Sequence, residues 1–230
     1  LVLRKHDTVP GIVTSGLDTV AVRVPGHDVA RRIIERTGSP LAAPSANPFG
    51  RTSPTTAAHV LAMLDGVIDA VVDGGPCGVG VESTIVDLSG ETPRLLRPGG
   101  VAAEAVEAVI GPLRRAAAGE KVTAPGMLAS HYAPRTPMRL LKSLDDMDSQ
   151  SSGRRGLIIC SEPSAAVVGR FAVAEVLSRS GDLREAAANL FAALHRLDAA
   201  GLDEIVAVAP ASQAGLGAAI TDRLRRAGGG

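Results

Sequence analysis

Three pieces of one stretch decide how this sequence is read: PSANPFGRTSPTTAAHVLAML (44–64), VVDGGPCGVGVESTIVDLSG (71–90) and PRLLRPGG (93–100). Each sets Ser, Thr, Asn, Gly or Arg beside an apolar run. That arrangement hangs short donor-bearing loops on the ends of buried strands or at the start of a helix, a way to hold a nucleotide. PLAAPSAN (40–47) reads as a buried strand ending in a polar loop, with Pro44 and Pro48 stiffening the backbone around Ser45, Ala46 and Asn47. Ser53 reads as an N-cap, with Pro54 at the first position of a helix whose stripe is Val60, Leu61 and Leu64. Asp69 to Asp73 reads as a strand, GGPCGVG as a tight turn, ESTIVDL as a further strand, and Arg97 as a strand-to-turn residue before the helix AAEAVEAVI. GGPCGVG lacks the GK[ST] ending of a P-loop, and the later GLGAAI lacks the third glycine of a dinucleotide fingerprint.

On the amino-terminal side, LVLRK and TVAVRV read as two strands joined by a loop. Alternation along the second puts Val20, Val22 and Val24 on one face and Thr19, Ala21 and Arg23 on the other. DVARRIIERT (28–37) reads as an amphipathic helix stopped by Gly38. On the carboxy-terminal side, residues 111–137 read as a Pro-rich linker without regular structure, carrying the single tyrosine, Tyr132, beside His131. An alternating pattern follows: strands MRLL, GLIIC and DEIVAVA, a helix from Asp182 to Ala199 with Asp182 and Glu185 as a capping box, and a last helix around AAITDRLRRA. The segment from Ser143 to Arg155 reads as a polar loop. No acid, base or nucleophile in this second unit stands in a telling context.

Composition excludes several classes. Formal net charge is zero, so a nucleic acid would have to be drawn by a local patch. The absence of Trp leaves little stacking surface for single strands. Cys77 and Cys160 are far apart without a second ligand nearby, so no zinc motif is formed, and they read as reduced thiols of a cytoplasmic protein. The histidines are scattered, with no HExxH, and no apolar run approaches the roughly 18 residues of a membrane span.

PSAN, the SPT after it, GVGVESTIVDL, LRPG, the APGMLASHYAP linker and a tail with LFAALHRLD and GLGAAITDRLRRA closely resemble the two-domain threonylcarbamoyl-AMP synthases of the Sua5/YrdC type. The resemblance implies an α/β chain: the carboxy-terminal part of a YrdC-like twisted-sheet domain (1–112), a linker (113–137) and a small Rossmann-like Sua5 domain (138–230). It implies an L-threonylcarbamoyladenylate synthase, a nucleotidyltransferase that converts L-threonine, bicarbonate and ATP to threonylcarbamoyl-AMP and pyrophosphate. The product serves the threonylcarbamoyl modification of tRNA adenosine 37 through downstream transfer machinery, in the cytoplasm and without a membrane. Carried over by position, Thr19, Ser45, Ser53, Arg97 and Tyr132 are ATP contacts, with Tyr132 closing over the nucleotide and His131 beside it. Arg23, Ala43 and Ser83 form the threonine pocket, Arg23 holding the carboxylate. Mg²⁺ is expected with ATP, with no dedicated metal site in the protein, and no covalent nucleophile is implied. Relatives of this type also carry a PTETVYGLG-like segment and a KxRP-like motif that supply principal phosphate cations. Neither motif occurs in these 230 residues, so the expectation is an amino-terminally truncated chain with one wall of the site and little activity alone. A different class also fits the residues: a non-catalytic tRNA or double-stranded RNA-binding module, using Arg114, Arg115 and Lys121 with Arg223, Arg225 and Arg226 as a basic patch.

Overall fold

The computed structural model describes residues 1–115, 130–147 and 153–229. The expected linker residues 116–129, Lys121 among them, and residues 148–152 of the polar loop lie outside the described residues. The architecture is mixed α/β, with two sheets and six α-helices among the described residues.

The first sheet runs in the order β2-β1-β3-β4-β5, from β1 (Val2–Arg4), β2 (Thr19–Ala21), β3 (Ile85–Asp87), β4 (Arg94–Arg97) and β5 (Arg114–Arg115). β1 pairs antiparallel with β2 and parallel with β3, and β3 pairs antiparallel with β4. The two expected amino-terminal strands are present, but β2 ends at Ala21, leaving Arg23 exposed beyond it. Helices α1 (Asp28–Thr37), α2 (Ala57–Leu64) and α3 (Ala103–Ile110) belong to this half, and none of them has a buried residue. Its apolar cluster consists of Val2, Ile85 and Leu96.

The second sheet, β6-β9-β7-β8, is parallel throughout: β6 (Met138–Leu141), β7 (Arg155–Ile159), β8 (Val173–Val176) and β9 (Glu204–Val208). Alternation along β9 feeds two apolar layers. Ile205 and Ala207 join the cluster built with α5 (Leu183–Asp198) and α6 (Leu216–Ala227), while Val206 packs with Leu141 and Met147 on the other face. The apolar stripe of α5 packs inward, with Ala187, Leu190, Phe191, Leu194 and Leu197 all buried and Leu183 half-buried at its start.

Several expectations are corrected. PLAAPSAN forms no strand; Leu41 to Ser45 are exposed and outside the sheet ladders. Asp69 to Asp73 likewise forms no strand, and Val72 is exposed. Apolar runs of this length resemble strands but stay irregular without a ladder partner for their backbone. The N-cap of α2 is Thr56, whose hydroxyl accepts from the His59 backbone N–H, and not Ser53. Asp182 caps α5 through the N–H groups of Arg184 and Glu185, but the Glu185 carboxylate accepts from the Ser178 hydroxyl, so no reciprocal capping box forms. The linker begins with a short strand, β5, beside β4. β8 and the single-turn α4 (Ala165–Val168) had no clear signal in the sequence.

Candidate functional site

The three pieces of the opening stretch meet around Glu82. Ser53 is buried and its hydroxyl donates to Glu82 Oε1 at 2.8 Å. Arg97, also buried, donates through Nε and Nη2 to the Ser83 carbonyl at 3.2 and 3.0 Å. Gly99 lies flat on the same backbone: a Cβ there would stand 2.3 Å from both the Glu82 carbonyl oxygen and the Thr84 nitrogen. Only glycine lets the RPGG turn approach the ESTI segment this closely. Ser83 itself is exposed beside these anchored groups.

The PSAN loop reaches the same wall through its following residues. Asn47 Nδ2 donates to the carbonyls of Pro48 and Arg51 at 3.2 and 2.8 Å, which closes the loop, and Ala46 is held at φ +56°. A left-handed alanine stores strain that persists only where surroundings fix it. Ser45 and Ala43 are exposed. Thr52 then donates to the Tyr132 carbonyl at 3.2 Å, and the Ala133 N–H donates to the Gly50 carbonyl at 2.8 Å, strapping the linker across this loop.

Tyr132 is buried to 1% exposure with φ +66°. Its ring packs 4.1 Å from the His131 ring and 5.4 Å from that of Phe191 on α5, and the Arg223 guanidinium sits 5.3 Å from its centroid. Burial raises its hydroxyl pKa above the usual phenol value, although the charges of Arg223 and Arg97 pull the other way. The expected closing residue is thus an interior one, wedged between the two halves.

The second half contributes groups that sequence reasoning missed. Arg223 of α6, fully buried, donates to Glu82 Oε2 at 2.6 Å, to Asp222 Oδ2 at 2.7 Å and to the Pro98 carbonyl at 3.0 Å. Burial alone would raise the Glu82 pKa, but the charge and hydrogen bond of Arg223, the Ser53 hydroxyl and Arg97 outweigh it and hold the carboxyl below its usual range. His195 of α5 lies 3.1 Å from the Ser53 carbonyl through Nε2, which must therefore donate. Its ring stacks 4.1 Å from that of His59. Burial, followed by the charges of His195 and Arg196, lowers the pKa of His59. The signal for Arg223 was present in the helix period: Ile220, Leu224 and Ala227 are buried, and residue 223 shares their side of α6. The expectation that no acid, base or nucleophile of this half stands in a telling context did not extend to a buried structural cation, which is what Arg223 is. The basic patch loses Arg223 to burial, and Arg226 is tied to Asp222 at 3.0 Å.

The remaining expected site residues are not gathered with these. Thr19 lies on edge strand β2, two strand spacings or about 10 Å from β3, and Arg23 lies on the exposed chain after it. The structure therefore brings together Ser53, Ser83, Arg97 and Tyr132, keeps Ser45 and Ala43 on the exposed loop leading into them, and leaves Thr19 and Arg23 on the far edge. Among the described residues no group of three or more His, Cys, Asp or Glu side chains is placed to hold a metal ion, and no helix is long and apolar enough to cross a membrane.

Residues 1–99 match the family described as Telomere recombination (Sua5, YciO, YrdC), and residues 101–229 match the one described as Threonylcarbamoyl-AMP synthase, C-terminal domain. The Threonylcarbamoyl-AMP synthase of Bacillus subtilis (strain 168) is 41% identical over 236 residues, covering 98% of this chain and 68% of that protein. The protein of the same name from Pyrococcus abyssi is 40% identical over 244 residues, covering 100% and 69%. Among solved structures, that of P. abyssi Sua5 complexed with L-threonine superposes with a TM-score of 0.87 at 37% identity, over 99% of this chain and 69% of the other.

Proposed function

The chain belongs to the threonylcarbamoyl-AMP synthase family, and from that premise we propose that it takes part in making threonylcarbamoyl-AMP and pyrophosphate from L-threonine, bicarbonate and ATP. The observation that carries the reading is the convergence of Ser53, Ser83, Arg97 and Tyr132 around Glu82. In this reading ATP lies along Ser45, Ser53 and Arg97 against the Tyr132 strap, with Thr19 at the sheet edge. Threonine is held by Arg23, the Ala43 backbone and Ser83. A guanidinium suits the threonine carboxylate because its planar fork donates two parallel hydrogen bonds. Arg23 lies on the exposed chain just after the short edge strand β2.

The chemistry asks for orientation and charge stabilisation. The carboxylate of N-carboxythreonine attacks the α-phosphorus, the P–O bond to the leaving pyrophosphate breaks, and negative charge spreads over the phosphoryl oxygens. Hydroxyls, backbone N–H groups and cations fixed in place stabilise that charge without a covalent nucleophile. Mg²⁺ enters with the nucleotide, its ligands being phosphate oxygens. The buried cations of this wall already bond to protein acceptors, Arg97 to Ser83 and Arg223 to Glu82, Asp222 and Pro98. With neither the PTETVYGLG-like nor the KxRP-like motif among these 230 residues, we expect turnover slower by about 10² to 10⁴ than in a chain that carries those phosphate cations. The product would feed tRNA modification by downstream transfer machinery in the cytoplasm. The domain division at about residues 112 and 137 is part of the same proposal.

Calorimetric titration of Mg·ATP into the chain tests it. ATP binding that tightens when threonine is present supports the synthase reading. Salt-sensitive tRNA binding without any response to ATP or threonine would instead favour the RNA-binding module. Threonine- and bicarbonate-dependent pyrophosphate release at the rate of the B. subtilis relative would overturn the expected deficit.

A further inference from the structure

Arg223 is an unusual residue to find fully buried on an amphipathic helix. Its three hydrogen bonds and its ring contact point in different directions, and all but the bond to Asp222 end on a part of the proposed site. Nε holds Glu82, which holds the Ser53 hydroxyl. Nη2 holds the Pro98 carbonyl, one residue beyond Arg97. The guanidinium face covers the ring of Tyr132. Nη1 is anchored by Asp222 of its own helix, and Asp222 is held in turn by Arg226. A buried ion pair is seldom more stabilising than apolar residues filling the same space, so stability alone does not account for an arginine here. A planar fork that fixes three partners at set angles does account for it, and lysine offers no such geometry.

We propose that Arg223, from the carboxy-terminal half, is a positioning residue for the nucleotide wall of the amino-terminal half: it sets Ser53 through Glu82, Arg97 through Pro98, and the Tyr132 strap directly. This rests on the proposed function for its ligand and on the structure alone for its contacts. The carboxy-terminal half then acts as the template on which the site is assembled.

The chain has one Tyr and no Trp, so its intrinsic fluorescence reports Tyr132 alone. Two quantities are measured on the 230-residue chain: acrylamide quenching of that fluorescence, and Mg·ATP affinity with threonine present. Arg223→Lys keeps the charge and loses the fork; with the melting curve showing a folded protein, quenching should rise severalfold and ATP affinity fall about tenfold. Arg225→Lys, at an exposed neighbour, should change neither. If Arg223→Lys does not fold, Glu82→Gln reads the same two quantities, with the same changes expected. Wild-type quenching and affinity in folded Arg223→Lys would overturn the inference, as would altered quenching with unaltered ATP affinity. If the wild-type chain binds no ATP, the proposed function falls, and the quenching comparison decides whether Arg223 fastens Tyr132.

Discussion

The two halves of this chain bury their side chains in opposite ways. Helix α5 has seven buried residues, whereas α1, α2 and α3 together have none. Among the described residues, every large apolar side chain exposed beyond about a third lies before residue 111, except Val168. The carboxy-terminal half is thus held by an apolar interior on both faces of a parallel sheet. The wall of the candidate site in the amino-terminal half is held by polar ties, and many of them come from the other half. Val81 and Tyr132 even belong to the carboxy-terminal apolar cluster. A site at such a junction takes its rigidity from the better-packed partner, and damage to that partner should reach the site.

The largest expected effect is in the dense half. Leu194→Ala empties a fully buried position among Leu190, Phe191 and Leu197 and should cost about 2–5 kcal/mol in urea unfolding. A loss below about 0.5 kcal/mol would break the contrast. Gly80→Ala strikes the junction: its φ is +74°, and a Cβ would stand 2.1 Å from the Ala187 carbonyl oxygen of α5. That contact and the one 2.3 Å from the Ala188 Cα are both backbone, so the halves must part, at about 1–3 kcal/mol by thermal unfolding; an unchanged transition would contradict the close approach.

The stacked His59 and His195 give a pH dependence. Burial and the neighbouring positive groups lower the His59 pKa from its ordinary 6.5. The unfolded chain therefore takes up a proton first, and stability present above pH 6.5 is lost as pH falls below it. The melting temperature should drop from pH 7.5 to pH 5, and His59→Gln should flatten that drop. An equal drop in the variant would assign it elsewhere. The smallest effect is expected at Ile33 of α1, 39% exposed: Ile33→Ala should stay within about 0.5 kcal/mol, and a cost of 2 kcal/mol or more would mean that α1 is covered in solution.

Much of this was legible because periodicity reports burial. The stripe of α5 and strands β3, β4, β6, β7 and β9 follow from local pattern. PLAAPSAN and Asp69 to Asp73 misled because an apolar run states that burial is affordable, not that a ladder partner exists. Ser53 misled differently: its placement before Pro54 suits a cap, but Glu82, 29 positions away in sequence, takes its hydroxyl. Glu82 and Arg223 are 141 positions apart. Each alone resembles a surface charge, and only folding shows them as a pair.

Amide hydrogen exchange of the 230-residue chain, with and without Mg·ATP and threonine, tests the central claim most directly. The account predicts slowed exchange together in residues 45–53, 82–84, 97–100 and 131–133, with residues 220–224 of α6 following. Slowing confined to other segments, or none at ATP and threonine concentrations that saturate the relatives, would contradict a nucleotide site assembled between the two halves.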